Sequence, residues 1–438
     1  MHRAVAVPRS QRHRQATALS AVDVVSILTV VPNIRRPRAE GWQRGWPRLT
    51  GAQNGRSSPR AAPAERHRRT HAAARPPTPP RSRFLSSSSP SSPAGPAEAG
   101  ALLAPLGLLG EGITAEVIVV ASFDELHRRA QEAKGKIVVY NQPFISYGET
   151  VRYRSLGAVE AAKVGAVASL IRSIASFSID SPHTGWQNYQ SGIPQIPTAC
   201  ISVEDAEMMS RMSLRGTKIV VYLKMGARTY PDSTSFNTVA EIVGSKYPEQ
   251  IVLVSGHLDS WDVGQGAMDD GGGAFVSWEA LSLVKDLGLR PKRTLRLVLW
   301  TGEEQGGIGA EQYYQLHKEN ISNFDIVMES DEGTFKPSGL AFTGNAKARD
   351  IVKEIMALLL PINVTEVYDA ADGTDINFWM RDGVPGASLR DDLSKYFWFH
   401  HSQGDTMTVQ DPNQMNLCAA VWTVVSYTIA DMEEMLPR

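Results

Sequence analysis

An α/β fold is predicted by three features of this chain. Short apolar runs with a β-branched bias alternate with helix-like stretches from residue 111 onward. Three of these runs, 251–255 (IVLVS), 294–300 (TLRLVLW) and 325–328 (DIVM), read as buried strands of one sheet. Each then hands over to a loop that carries histidine or carboxylate side chains, at the strand end where open α/β sheets do their chemistry.

The 438 residues allow two or three domains, and the net charge of −1 hides a division. Residues 1–110 hold 17 arginines, no lysine and four acidic residues, which makes them +13 and leaves the rest at −14. Rich in Arg, Pro and Ser (RPPTPPRSRFLSSSSPSSPAG), this segment has too little apolar surface to offset the entropy of ordering, and is predicted to be disordered. Its composition fits a mitochondrial transit peptide. Residues 19–31 are apolar but contain Asp23 and lack a clean cleavage site, so they make a poor signal peptide. Without aromatic interleaving or a basic helix, the positive charge does not argue for nucleic acid.

Residues 111–227 alternate strand-like and helix-like pieces (AEVIVV, FDELHRRAQEA, KIVVY, IPTACIS, VEDAEMMSRM, KIVVYLKM) with no clustered His, Cys or paired carboxylates. They read as a lid or packing module. Residues 228–438 supply the main sheet and its helices. Two cysteines, Cys200 and Cys418, exclude a disulfide framework. The late run MNLCAAVWTVVSYTIADMEEML is helical but broken by Ser, Thr and Asp, and no transmembrane segment is expected.

The chemistry concentrates in 251–273 (IVLVSGHLDSWDVGQGAMDDGGG). His257 closes its strand, Asp259, Asp269 and Asp270 follow, and Gly271 to Gly273 let the chain enter a helix. The second strand runs into Glu303-Glu304, the third into Asp331, and the aromatic loop YFWFHHSQGDT brings His401. Two imidazoles and three carboxylates suffice for two borderline cations sharing one carboxylate. That leaves one of the Glu303–Glu304 pair as a general base. Taken singly, each fits a solvated or salt-bridged group equally well. His127, His183 and His317 stand alone in polar contexts and read as solvated surface groups. His400 either shapes a substrate pocket or packs its loop. Asp375 either lies near substrate or caps the following helix. Residues 396–399 (YFWF) read as a buttress for the loop or a dimer contact.

The order GHLDS, GAMDDGGG, EEQGG, ESD and HHSQGDT resembles the M28 family of di-zinc exopeptidases, from about Glu111 to the C-terminus. The resemblance implies a zinc-exopeptidase sheet flanked by helices (228–438) with an inserted protease-associated domain (111–227). It implies two zinc ions per chain. One is held by His257 and Asp331, the other by Glu304 and His401, with Asp269 bridging and Glu303 as base. It further implies that Asp259 orients His257 and that the Asp269–Asp270 peptide is cis. Short peptides or dipeptides with free termini, a homodimer, and a secreted or lysosomal address follow from it too. The sequons at Asn320 and Asn363 agree with that address. A non-catalytic binding relative is the alternative function. Two residues depart from the family pattern, Gly302 before the glutamate pair and Glu332 beside Asp331. A larger departure precedes residue 111, where the Arg/Pro/Ser tract stands in place of helices and first strands of the peptidase sheet. That part of the domain is therefore expected to be missing, as in an alternative-start product or gene-model artefact, with a poorly covered sheet edge and compromised turnover.

Overall fold

Two sheets organise the chain, which the computed structural model describes over residues 112–226 and 230–438 and in two short strands before them. The strands are β1 (Thr29–Arg35), β2 (Ser86–Ser87), β3 (Ile113–Val120), β4 (Ile137–Tyr140), β5 (Ala168–Arg172), β6 (Thr198–Ile201) and β7 (Val220–Leu223). They continue as β8 (Asp232–Ile242), β9 (Tyr247–His257), β10 (Arg293–Trp300), β11 (Phe324–Glu329), β12 (Pro337–Thr343), β13 (Glu366–Asp369) and β14 (Gly386–Asp391). The larger sheet has the order β1-β8-β10-β9-β11-β14-β12-β13, the smaller β2-β6-β5-β4-β3-β7.

In the larger sheet β10, β9, β11 and β14 run parallel, so their carboxyl ends share one edge. All residues from Ile251 to His257 in β9 are buried, as a strand covered on both faces requires. Alternate side chains divide between the two faces. Val252 and Val254 join Leu295, Leu297 and Leu299 beneath α3 (Gly272–Asp286), α5 (Ala346–Ala357) and α6 (Pro412–Asp431). Leu253 joins Val298 and Trp300 on the face covered by α4 (Ile308–His317) and by Trp379. The smaller sheet is covered by α1 (Arg152–Lys163) and α2 (Val203–Leu214).

Buried hydroxyls tie the layers together. Trp422 Nε1 of α6 donates to Ser277 Oγ of α3 (2.9 Å), which donates to the Ser255 carbonyl of β9 (2.8 Å). Ser255 Oγ then donates to the Met328 carbonyl of β11 (3.0 Å). Gly273 serves proximity, since it adopts ordinary helical backbone inside α3. A Cβ there would stand 1.8 Å from the Ser330 carbonyl and 2.4 Å from Asp270 Oδ1.

β1 and β2 depart from the disorder expected of residues 1–110; the rest of that segment lies outside the described residues, and residues 19–28 with it. β1 pairs antiparallel with β8 and is itself the end strand of the sheet on that side. Its register shifts between Val31 and Ile34, around Pro32, which an edge strand tolerates. Phe275 and Trp278 of α3 are nonetheless 65% and 47% exposed. No helix among the described residues is long and apolar enough to cross a membrane. Cys200 and Cys418 are buried free thiols.

A buried ion pair fixes the start of β11. Arg293 Nε lies 3.2 Å from Asp325 Oδ2, both side chains being at most 1% exposed. Asp325 Oδ1 accepts from Leu436 N (2.7 Å), while Arg293 Nη1 donates to the Met432 carbonyl (2.7 Å). Asp325→Ala strands the guanidinium and should destabilise the protein by about 3–5 kcal/mol, read by denaturant unfolding.

Candidate metal centre

The three central strands place their terminal side chains within a few ångströms of one another. His257 ends β9, Glu303 and Glu304 follow β10, and Asp331 follows β11. His257 Nε2 lies 3.1 Å from Asp331 Oδ1 and 3.4 Å from Asp269 Oδ1. On the other side His401 Nε2 lies 3.2 Å from Glu304 Oε2 and 3.3 Å from Asp269 Oδ2. One carboxylate thus turns each of its oxygens to a different imidazole–carboxylate pair. In each of the two groups, His257–Asp269–Asp331 and Asp269–Glu304–His401, the ligand atoms all lie within 4.8 Å of one another, close enough to hold one metal ion.

The donor set fits zinc. Four ligands at zinc–ligand distances of 2.0–2.1 Å in a tetrahedron stand about 3.3 Å apart, close to the spacings here. Both imidazoles present the correct nitrogen. Nδ1 of His257 donates to the Asp259 carbonyl (2.8 Å) and Nδ1 of His401 to the Thr184 carbonyl (3.1 Å), so each Nε2 keeps its lone pair for the shared centre. Glu304 Oε1, buried beside them, has no hydrogen-bond partner among the described residues.

Asp259 orients His257, but through its main chain. Its carbonyl, not its carboxylate, holds His257; the nearer carboxylate oxygen is 3.8 Å from Nδ1. The carboxylate instead accepts from the backbone N–H groups of Glu303 (3.1 Å) and Glu304 (3.2 Å), fixing the turn that aims both glutamates. Asp270 accepts from His257 N (2.9 Å) and Gly273 N (3.0 Å). Asp405 accepts from Met268 N (2.7 Å) and Asp269 N (3.2 Å). The Asp269–Asp270 peptide is cis, as expected.

His183 corrects the sequence expectation, being 1% exposed rather than solvated. Its Nδ1 donates to the His400 carbonyl (3.2 Å). The neighbouring Thr184 N donates to the His401 carbonyl (2.8 Å). These contacts hold His401 at φ +57°, a left-handed conformation that costs a non-glycine residue about 1–3 kcal/mol. His127 is exposed and pairs with Glu160 (2.8 Å), and His317 is half-buried against the Tyr313 ring. His400 lines the cavity, with Nε2 3.3 Å from Asp269 Oδ2. Asp375 does not cap a helix: the helix Asn377–Arg381 has no side-chain cap, and Asp375 is fully buried beside Glu329. Tyr396 donates to the Asp331 carbonyl (3.2 Å) and Phe397 stacks on Tyr147 at 5.3 Å, so the aromatic run buttresses the loop. Glu332 accepts from Arg390 Nη1 (2.6 Å), which offsets the extra charge beside Asp331. Arg154, His183, Thr184 and Asp405 were not anticipated. Their contacts to the 400–401 loop and, for Asp405, to Asp269 span more than 130 residues of sequence, so no local spacing announces them.

The cavity over these groups is about 380 Å³ and is lined from both sheets' connections, including Arg154 and Trp186 on one side and Glu303, Asp331 and Thr374 on the other. Burial pushes the carboxyls of Glu303 and Asp331 up to about 7, and that of Glu304 well above its usual range. Such a crowd of carboxylates stays ionised only beside cations.

An α/β sheet with imidazole–carboxylate groups at the carboxyl ends of its central strands is an arrangement suited to metal-assisted hydrolysis. The pattern of peptidase family M28 matches residues 237–426, and the chain belongs to that family. It is 76% identical over 342 residues to carboxypeptidase Q of Xenopus laevis, an alignment covering 77% of this chain and 73% of that protein. To carboxypeptidase Q of Homo sapiens it is 76% identical over 333 residues, covering 76% and 71% respectively. Among solved structures, a peptidase M28 precursor from Shewanella amazonensis SB2B superposes with a TM-score of 0.71 at 33% identity, over 75% of this chain and 76% of that one. The zinc aminopeptidase BSAP from Bacillus subtilis shares the fold at 20% identity, with a TM-score of 0.56 over 74% of this chain and 76% of that one.

Two outcomes follow for metal binding. Protons compete for carboxylates whose metal-free pKa lies near 7, so zinc affinity should weaken as pH falls through about 7, with protons released on binding in calorimetry. Asp259→Ala frees the Glu303–Glu304 turn and should lower zinc affinity about 10–100-fold without unfolding, measured by competition with a chromogenic chelator.

Proposed function

We propose that the chain is a metal-dependent exopeptidase that hydrolyses short peptides or dipeptides with free termini. In this reading residues 228–438 form the M28 zinc peptidase domain and residues 111–227 an inserted protease-associated domain. Asp269 carries the reading, because its Oδ1 and Oδ2 face separate donor pairs at 3.4 and 3.3 Å. His257 and Asp331 would hold one zinc ion, Glu304 and His401 the other, with Asp269 shared. Bound there, the ions supply Lewis acidity towards the scissile carbonyl and lower the pKa of the attacking water.

Glu303 remains for proton transfer. Its backbone is pinned by Asp259, its side chain lines the cavity, and its Oε2 stands 3.8 Å from His257 Nε2. It accepts the proton of the attacking water and returns it to the leaving amine, so one carboxyl serves both halves of the reaction. Burial favours the protonated half of that cycle, since it raises the carboxyl towards neutrality. Asn320 and Asn363 are both exposed, which suits glycosylated positions of a secretory protein.

Glu303→Gln should keep both zinc ions by atomic absorption yet lower kcat about 10²–10⁴-fold, the range of general base catalysis. Loss of metal in that variant would instead place Glu303 among the ligands. Chelation should abolish hydrolysis of a dipeptide by the unmodified chain, and added zinc should restore it.

A further inference from the structure

The two donor groups share Asp269 but are built differently. His257 and Asp331 follow neighbouring strands of the larger sheet, β9 and β11, and Nδ1 of His257 is held by the Asp259 carbonyl in the loop just beyond β9. Glu304 also follows a strand of that sheet, but His401 comes from a loop. Its Nδ1 donates to the Thr184 carbonyl, which belongs to the β5–β6 connection of the smaller sheet (3.1 Å). One group is thus fixed within a single sheet, whereas the other is completed only where the two sheets meet.

Their surroundings also differ in charge. Carboxylates stand beside His257: Glu303 Oε2 lies 3.8 Å from its Nε2, and Asp270 accepts from its backbone N–H (2.9 Å). Beside His401 stands Arg154 of α1, 4% exposed, with Nη1 3.3 Å from His401 Nδ1. Neutral groups hold Arg154, namely the Trp186 and Thr184 carbonyls, the Tyr147 hydroxyl and His183 Nε2. No carboxylate among the described residues pairs with it, so its charge reaches the His401 ring unneutralised.

That contact opposes a cation on His401. With Nδ1–H donating to Thr184, both Nη1 and Nδ1 are donors, and a metal ion on Nε2 makes the ring more positive still. Moving the ring proton to Nε2 would let Nδ1 accept from Arg154, but takes away the lone pair that a metal needs. Both tautomers therefore set Arg154 against the metal.

A second group acts on the shared carboxylate from the same side. His400 Nε2 lies 3.3 Å from Asp269 Oδ2, the oxygen that faces His401, and its Nδ1 has no partner among the described residues. Its ring proton thus belongs on Nε2, where it donates to Oδ2 and draws on the electron density that a metal there would use. Oδ1, on the other side, faces His257.

We propose that the two subsites hold zinc unequally, the Glu304–His401 subsite being the weaker, and that Arg154 and His400 impose the difference. The chain then loads stepwise, through a one-zinc form whose ion lies among His257, Asp269 and Asp331. This rests on the two-zinc reading and adds to it the order in which the ions enter and the residues that set it.

The test measures zinc bound to the full chain across chelator buffers that fix free zinc. The unmodified chain should fill in two steps about tenfold or more apart, the scale on which groups behind metal ligands act. His401→Ala should remove the weaker step and leave the tighter one within about threefold. Arg154→Gln should move the weaker step about tenfold towards lower free zinc and leave the tighter one in place. His400→Phe keeps a ring for packing but has no donor; it should move the weaker step in the same direction, and it decides the matter if Arg154→Gln does not fold. Loss of the tighter step in His401→Ala would overturn the proposal, as would a weaker step that stays put or moves to higher free zinc in either folded variant. A single step that takes up both ions would overturn it too, while leaving the two-zinc reading intact. One zinc or none at saturation would sink both.

Discussion

The site depends on one carboxylate being shared. Asp269 faces His257 with one oxygen and His401 with the other, and its position is imposed from outside. Asp405 takes the backbone N–H groups of Met268 and Asp269, and Gln410 Nε2 donates to the Ala267 carbonyl (2.6 Å). The loop bearing Asp405 also bears His401. A single segment near the C-terminus therefore supplies one imidazole and fixes the carboxylate that imidazole shares.

The smaller sheet is part of this arrangement rather than a cover for it. Thr184 exchanges two hydrogen bonds with His401, one through each main-chain direction of the pairing, backbone N–H to carbonyl and ring N–H to carbonyl. Phe397 stacks against Tyr147 and His400 packs edge-on against the same ring at 4.8 Å. Electrostatics point the same way. Burial and the nearby His401 and Arg154 hold His183 neutral, which lets it accept from Arg154 while its other nitrogen serves the His400 carbonyl.

Much of this was legible in the sequence for a simple reason. His257, Glu303, Glu304 and Asp331 directly end or follow apolar runs whose period marks them as buried parallel strands, so strand identification also located the side chains. Asp269 and His401 needed motif order as well, since both sit in loops. The remaining partners were hidden because their burial is created by docking between distant segments. His183 lies in a polar stretch, SPHTG, and becomes one of the least exposed histidines only when that stretch meets the 400–402 loop. Asp259 was recognised as a partner of His257, but spacing cannot tell a carbonyl from a carboxylate two residues on. Asp375 carried the composition of a cap while its neighbourhood is a buried acidic pair with Glu329, whose carboxyl burial raises to about 8.

The close approach at Gly273 has a consequence for how the protein tolerates change. There the start of α3 meets the Ser330 carbonyl with no room for a methyl group, and at Gly256 a Cβ would meet Ala274 N at 2.7 Å. The separation between the segment bearing Asp269 and the strand end bearing Asp331 is thus a main-chain dimension, set by backbone atoms in contact. Side chains deeper in the sheet, such as Leu297 or Met328, determine how firmly the layers adhere but not that separation. Sequence drift in the interior is therefore free to tune melting behaviour while the geometry of the centre stays constant, and the glycines mark where that freedom stops.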